Sequence, residues 1–250
     1  MPACSMAKKR LGVRRPVART KAAKSPPAPS SPSPLSVVPA PPAGLANLAN
    51  TMTWPKGQVI HRIHPKAYGS SQFNPGLPGN ARFSPIKASS GANIPTLYGG
   101  TAFDCAAMET VFHDVPFVAG LKTFDKQKLA GHVYSQVTPK RDIKLIDLSV
   151  TALKRLGLRR SQLIDTEKNE YPNTRKWAEA FHAACPHAEG LCWVSRQDDR
   201  AMAIVIFGDR VAAADLSPVG APLDLLTTDA VYADLVILAD RIGVKLVAGK

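Results

Sequence analysis

The chain has little of what would mark several large classes of protein. Its four cysteines, Cys4, Cys105, Cys185 and Cys192, have no disulfide-framework spacing across 250 residues, which points to reduced thiols and a cytoplasmic setting. Its longest apolar runs, such as AMAIVIF at 201–207, fall far short of the ~18 residues needed to cross a bilayer, so no membrane partner is expected. No apolar stretch follows the early charges, as a secretory signal would require. There is no Gly-x-Gly-x-x-Gly fingerprint and no P-loop, which excludes a Rossmann-type or P-loop nucleotide site. Ser195 sits in Val194-Ser195-Arg196 without a Gly-x-Ser-x-Gly elbow, so a nucleophilic serine is not expected. His182, Cys185, His187 and Cys192 lack a Cys-x-x-Cys pair and would be spread by a helix, so no metal is expected.

Acidic residues are missing altogether from residues 1–50, which hold eight Lys or Arg and ten of the 22 prolines. The formal charge of +13 therefore divides into +8 for this segment and +5 for the remaining 200 residues. Such a composition cannot bury a core, and it predicts a disordered, basic, proline-rich tail over 1–50 and one folded domain over 51–250. The tail could meet nucleic-acid phosphates through its charges, but no interleaved aromatics support that reading.

Within 51–250 the pattern is that of an α+β domain. Strands are predicted at Val59–His64, Leu129–Val137 and Ile143–Leu148, with a pair at Leu191–Ser195 and Ala201–Phe207. Helices are predicted at Ser149–Leu156, at Tyr171–Ala184 with a stripe of Trp177, Ala180, Phe181 and Ala184, and at Asp229–Ile242. Residues 65–79 read as a loop with Phe73 turned inward, and Asp165–Glu170 as a polar loop.

The most informative stretch is Asn80–Asp114. It brings an arginine before an aromatic (Arg82, Phe83), a tyrosine at a strand end (Tyr98) and a helix carrying one carboxylate (Glu109). Thr101 with Asp104 three residues on has the form of a capping box for that helix. Cation, ring and carboxylate together suit a nucleotide diphosphate, since a guanidinium pairs with phosphate oxygens through two charge-assisted bonds. Arg62, in an otherwise apolar strand, would be costly to bury without a phosphate or carboxylate partner. His113 beside Asp114 reads as a residue of the helix C-terminus.

Five segments in order, VIHRIHP with Arg62, NARFSP with Arg82, LYGGT with Tyr98, AAMETVFHD with Glu109 and GLCWVSR with Ser195, resemble the signature of the RES domain family. The resemblance spans roughly residues 57–210. It implies an ADP-ribosyltransferase-like mixed sheet with surrounding helices, and a bacterial toxin of a toxin–antitoxin pair that consumes NAD. On that reading NAD is the substrate, cleaved at the nicotinamide–ribose bond and passed to inorganic phosphate or water, with a cognate antitoxin as partner. Glu109, Arg62 and Ser195 would be catalytic, and Arg62, Arg82, Tyr98, Glu109 and Ser195 would bind the NAD. Ser195 is expected to orient the ligand or Glu109. A mono-ADP-ribosyltransferase acting on a protein, and a non-catalytic nucleic-acid-binding protein using its basic tail, are the alternatives.

Overall fold

The computed structural model describes residues 37–76 and 79–249. The expected tail over residues 1–36 lies outside them. In chain order the elements are α1 (Leu45–Leu48), β1 (Thr51–Trp54), β2 (Ile60–Pro65), β3 (Ile86–Lys87), β4 (Asn93–Ile94), β5 (Thr96–Gly100) and α2 (Phe103–Thr110). There follow β6 (Lys122–Asp125), β7 (His132–Pro139), β8 (Ile143–Asp147), α3 (Val150–Arg155), α4 (Tyr171–Ala184), β9 (Gly190–Val194), β10 (Met202–Phe207), β11 (Leu216–Pro218), β12 (Leu223–Asp224), α5 (Asp229–Arg241) and β13 (Val244–Val247).

Nine strands form one mixed sheet in the order β1-β8-β9-β10-β5-β2-β7-β11, with β12 also on β7. Its pairs are antiparallel except β8 with β9. This is the α+β class that the sequence predicts. The centre of the sheet is set by β10, which is apolar on both faces. Ile204 and Ile206 pack with Trp54, Leu97 and Leu145, whereas Val205 and Phe207 join Trp177, Phe181 and Trp193 under α4. Successive side chains of a strand leave on opposite faces, so one strand serves two cores. A third cluster joins α2 to α5 through Met108, Phe112, Leu235 and Leu238.

Helix α4 has the predicted bounds, with a proline in its first turn; of its predicted stripe Trp177 and Phe181 are fully buried and Ala180 and Ala184 partly, while Ala178 is buried in addition. Two expectations are corrected. The strand expected from Leu129 starts at His132, because residues 126–129 form a 3-10 turn and Gly131 takes φ 74°, a left-handed conformation that a strand cannot include. Helix α2 is not capped by Thr101. Its N-cap is Ala102, while Thr101 Oγ1 accepts the N–H of Met202 and Asp104 pairs with Arg241 at 2.6 Å.

The boundary at residue 50 is also corrected, since residues 37–50 belong to the fold. Val38 and Leu45 are buried in the α4 core, Trp177 Nε1 donates to the Pro39 carbonyl at 2.7 Å, and Arg155 donates to Asn47 O and Asn50 Oδ1. Burying each of those aliphatic side chains contributes about 1.5–3 kcal/mol, enough to dock a short segment whatever its average composition. Among the described residues no helix is long and apolar enough to cross a membrane.

Candidate functional site

A cavity of about 490 Å³ opens between strands β2 and β5 in the middle of the sheet, the loop around Arg82, the end of α2 and the start of α4. Arg62, Arg82, Tyr98 and Glu109 all line it. Four residues far apart in the sequence thus meet in one place.

Glu109 comes from the last turn of α2, and α2 is held close to the sheet by Gly100. A Cβ at that position would lie 2.6 Å from Cys105 Sγ, so any side chain would push the helix outward. Ser195 stands just past the end of β9, fully buried, and donates its hydroxyl proton to Glu109 Oε1 at 2.6 Å. In return Ser195 Oγ accepts the backbone N–H groups of Gln197 and Asp198, both at 3.0 Å. Its one proton is committed to the carboxylate, so the residue fixes Glu109 and has none left for another acceptor. Ser195 is not among the residues that line the cavity, and its link to the cavity wall is the bond to Glu109.

Both arginines are buried without a carboxylate partner among the described residues. Arg62 NH1 donates to the carbonyls of Ser70 (2.6 Å) and Gln72 (3.2 Å), which folds the loop after β2 back over the strand. Burial lowers its pKa to about 10, so it stays cationic at neutral pH. Arg82 NH1 donates to Thr166, at 2.6 Å to the hydroxyl, and its guanidinium lies 5.1 Å over the Tyr171 ring. Burial lowers the Arg82 pKa as well. Two buried side-chain nitrogens in the described structure have no partner at all, Arg62 Nε and Trp193 Nε1. Both belong to residues that line this cavity, so the unspent hydrogen-bonding capacity of the core is gathered around it.

The aromatic wall is built from the motifs around it. Phe83 is fully buried edge-on against Trp193, with centroids 5.1 Å apart, and its N–H donates to the Tyr98 hydroxyl at 3.1 Å. Burial pushes the Tyr98 phenol up to about 12, which keeps it neutral. Thr174 Oγ1 donates to the Arg82 carbonyl at 2.5 Å, tying the NARFSP turn to α4.

Sequence reasoning missed several lining residues. His64 is buried beside Arg62, with Nδ1 on the Pro65 carbonyl (3.0 Å) and Nε2 on Ser135 Oγ (2.9 Å), and burial with the Arg62 charge lowers its pKa to about 4. His113, read as a helix-end residue, instead lies in the turn after α2 and links Asp114 (2.8 Å) to the Tyr171 hydroxyl (3.1 Å). Lys168, from the segment read as a polar loop, closes on Asp114 at 2.6 Å. Lys168 and His113 together lower the Asp114 pKa. The HD pair was the one available signal, since Tyr171 and Lys168 lie more than fifty residues away in sequence. Of the residues considered for a metal, His182 is spent on Asp209 at 2.8 Å, and Cys185 and Cys192 are buried. No group of three or more metal-ligating side chains occurs among the described residues.

Fold and site together define an α+β domain with a cavity that carries two buried arginines and, at the end of α2, a carboxylate fixed by a buried serine. The RES domain profile matches residues 59–228, and the chain belongs to the RES domain family. A chain from the crystal structure of the M. tuberculosis MbcT–MbcA toxin–antitoxin complex shares the fold, with a TM-score of 0.56 over 78% of this chain and 98% of that one, at 15% identity. No curated protein sequence matches.

Proposed function

We propose that this protein is an NAD-degrading enzyme that breaks the bond between nicotinamide and ribose, acting as the toxin of a toxin–antitoxin pair. The observation that carries the chemistry is the Glu109 carboxylate, fixed by Ser195 at 2.6 Å, in a cavity that also presents two buried arginines. Breaking the glycosidic bond builds positive charge on the ribose, and a pre-positioned carboxylate stabilises that charge at no reorganisation cost. Nicotinamide leaves as a neutral amide, so one carboxylate suffices. Arg62 and Arg82 supply fork-shaped donors for a diphosphate. Tyr98 and Tyr171 supply ring faces and hydroxyls for the nicotinamide and ribose ends.

Membership of the RES domain family, together with a fold shared with a chain of a toxin–antitoxin complex, supports the toxin role and a cognate antitoxin as partner. The test is to incubate the purified full chain with NAD, with and without inorganic phosphate, and to identify the products. Release of nicotinamide with ADP-ribose or its phosphorylated form is expected. Intact NAD in both reactions would refute the reading.

A further inference from the structure

A second cavity, of about 380 Å³, adjoins the first and shares four residues with it, His113, Asp114, Lys168 and Tyr171. Its other walls include Phe117 and the ion pair of Arg196 with Glu167 (2.7 Å). The four shared residues form one hydrogen-bonded chain, Lys168 to Asp114 (2.6 Å), Asp114 to His113 Nδ1 (2.8 Å) and His113 Nε2 to the Tyr171 hydroxyl (3.1 Å). Such order is unneeded for stability, since exposed ion pairs contribute little and Asp114 is mostly exposed.

On the reading of NAD cleavage above, we propose that Tyr171 and His113 form the proton relay for the acceptor, and that the acceptor is an O–H nucleophile, water in the first instance, entering through the second cavity. With Nδ1–H donated to Asp114, the Nε2 lone pair faces the Tyr171 hydroxyl. As the glycosidic bond breaks, its electron pair leaves with the nicotinamide nitrogen and a lone pair of the acceptor oxygen closes on the ribose carbon. The acceptor proton passes to the Tyr171 oxygen while the Tyr171 proton passes to His113 Nε2, and the imidazolium so formed rests against Asp114. Burial raises the Tyr171 pKa, so the phenol stays protonated at rest, and the Arg82 guanidinium over its ring offsets part of that cost as negative charge develops on the oxygen in transit. The other charges facing the relay are Glu109, one helical turn before His113, and the neutralised Arg196–Glu167 pair. A charged acceptor therefore finds no unpaired cation among the described residues of the second cavity, whereas a neutral hydroxyl finds a base. His113 acts through Tyr171, and Tyr171 is the group that touches the acceptor.

The test measures nicotinamide release by wild type, His113→Gln, Tyr171→Phe and Asp114→Asn across pH in phosphate-free buffer, in H2O and in D2O. The first two variants should lose about a hundredfold or more in kcat with a smaller change in KM, as loss of a positioned base typically does. The wild-type rise of rate with pH and its solvent isotope effect should vanish in His113→Gln. Asp114→Asn changes an exposed side chain, so it keeps the question answerable should the buried variants fail to fold; it should lose about tenfold in kcat and displace the pH profile. Folded variants with the wild-type rate and profile would overturn the relay alone. Turnover that requires inorganic phosphate and saturates with it would also overturn the relay while leaving NAD cleavage intact. No nicotinamide release by wild type under any condition would overturn both.

Discussion

The two sides of the cavity differ in how they hold their polar groups. The sheet side, with Arg62 and His64 buried on β2 and Tyr98 partly buried on β5, is backed by strand pairing and makes no ion pair among the described residues. The helix side, with His113, Asp114 and Lys168, is half-buried to exposed and laced with them. Desolvated groups on a rigid wall change little in geometry or protonation, which suits gripping a ligand. Groups near solvent exchange protons readily, which suits the acceptor end. Glu109 lies at the junction, on a helix but pinned by a buried serine of the sheet.

The largest effect should come at that junction. Glu109→Gln keeps the size and removes the charge, and about a hundredfold or greater loss of NAD turnover is expected, measured as kcat with folding checked by the melting curve. Wild-type turnover would remove Glu109 from the chemistry.

Next is the sheet side. Arg62→Lys keeps the charge but not the fork, so NAD binding measured by calorimetry should weaken about tenfold or more, since a hydrogen bond to a charged group contributes ~1.5–3 kcal/mol. The Ser70 and Gln72 carbonyls lose their donor as well, so the melting temperature should fall. Unchanged affinity with a lowered melting temperature would make Arg62 a loop fastener only.

The smallest effect separates the walls by pH. The folded-state pKa of His64 is about 4, below its ordinary 6.5, so the unfolded chain binds the proton more tightly. The stability this represents is complete above pH 6.5 and is lost progressively as pH falls toward 4. Thermal melts across that window should show the loss in wild type and a flatter curve in His64→Gln. Parallel curves would mean that His64 opens to water before it titrates.

Much of this architecture is local and therefore legible in the sequence. Trp177 and Phe181, the two large members of the α4 stripe, and the doubly apolar MAIVIF encode their environment in their own spacing. Arg62, Arg82, Tyr98 and Glu109, which share the wall of one cavity, each stand in a short motif of the sequence. Tyr171 stands in none: its place over Arg82 depends on a turn ninety residues upstream, and a tyrosine opening a helix carries no mark of it. Residues 37–50 were misjudged for a related reason: a proline-rich window says nothing about Pro39 offering its carbonyl to Trp177. Thr101 had the right local form for a cap, but the nearby strand β10 supplied a better donor in Met202.

The position of β9 and β10 between β8 and β5 also sets a timetable. Strand β5 and helix α2, with Glu109, are made early in synthesis, yet β5 pairs with β10, Thr101 bonds Met202 on both backbone and side chain, and Ser195 lies 86 residues beyond the carboxylate it fixes. Until about residue 207 has emerged from the ribosome the carboxylate has no anchor and the sheet is split in two. Long-range closure of this kind is slow compared with local helix formation. The carboxylate and its buried anchor are therefore joined only when β9 and β10 dock between β8 and β5, so the site is assembled by the closing of the sheet and not by the helix that carries Glu109.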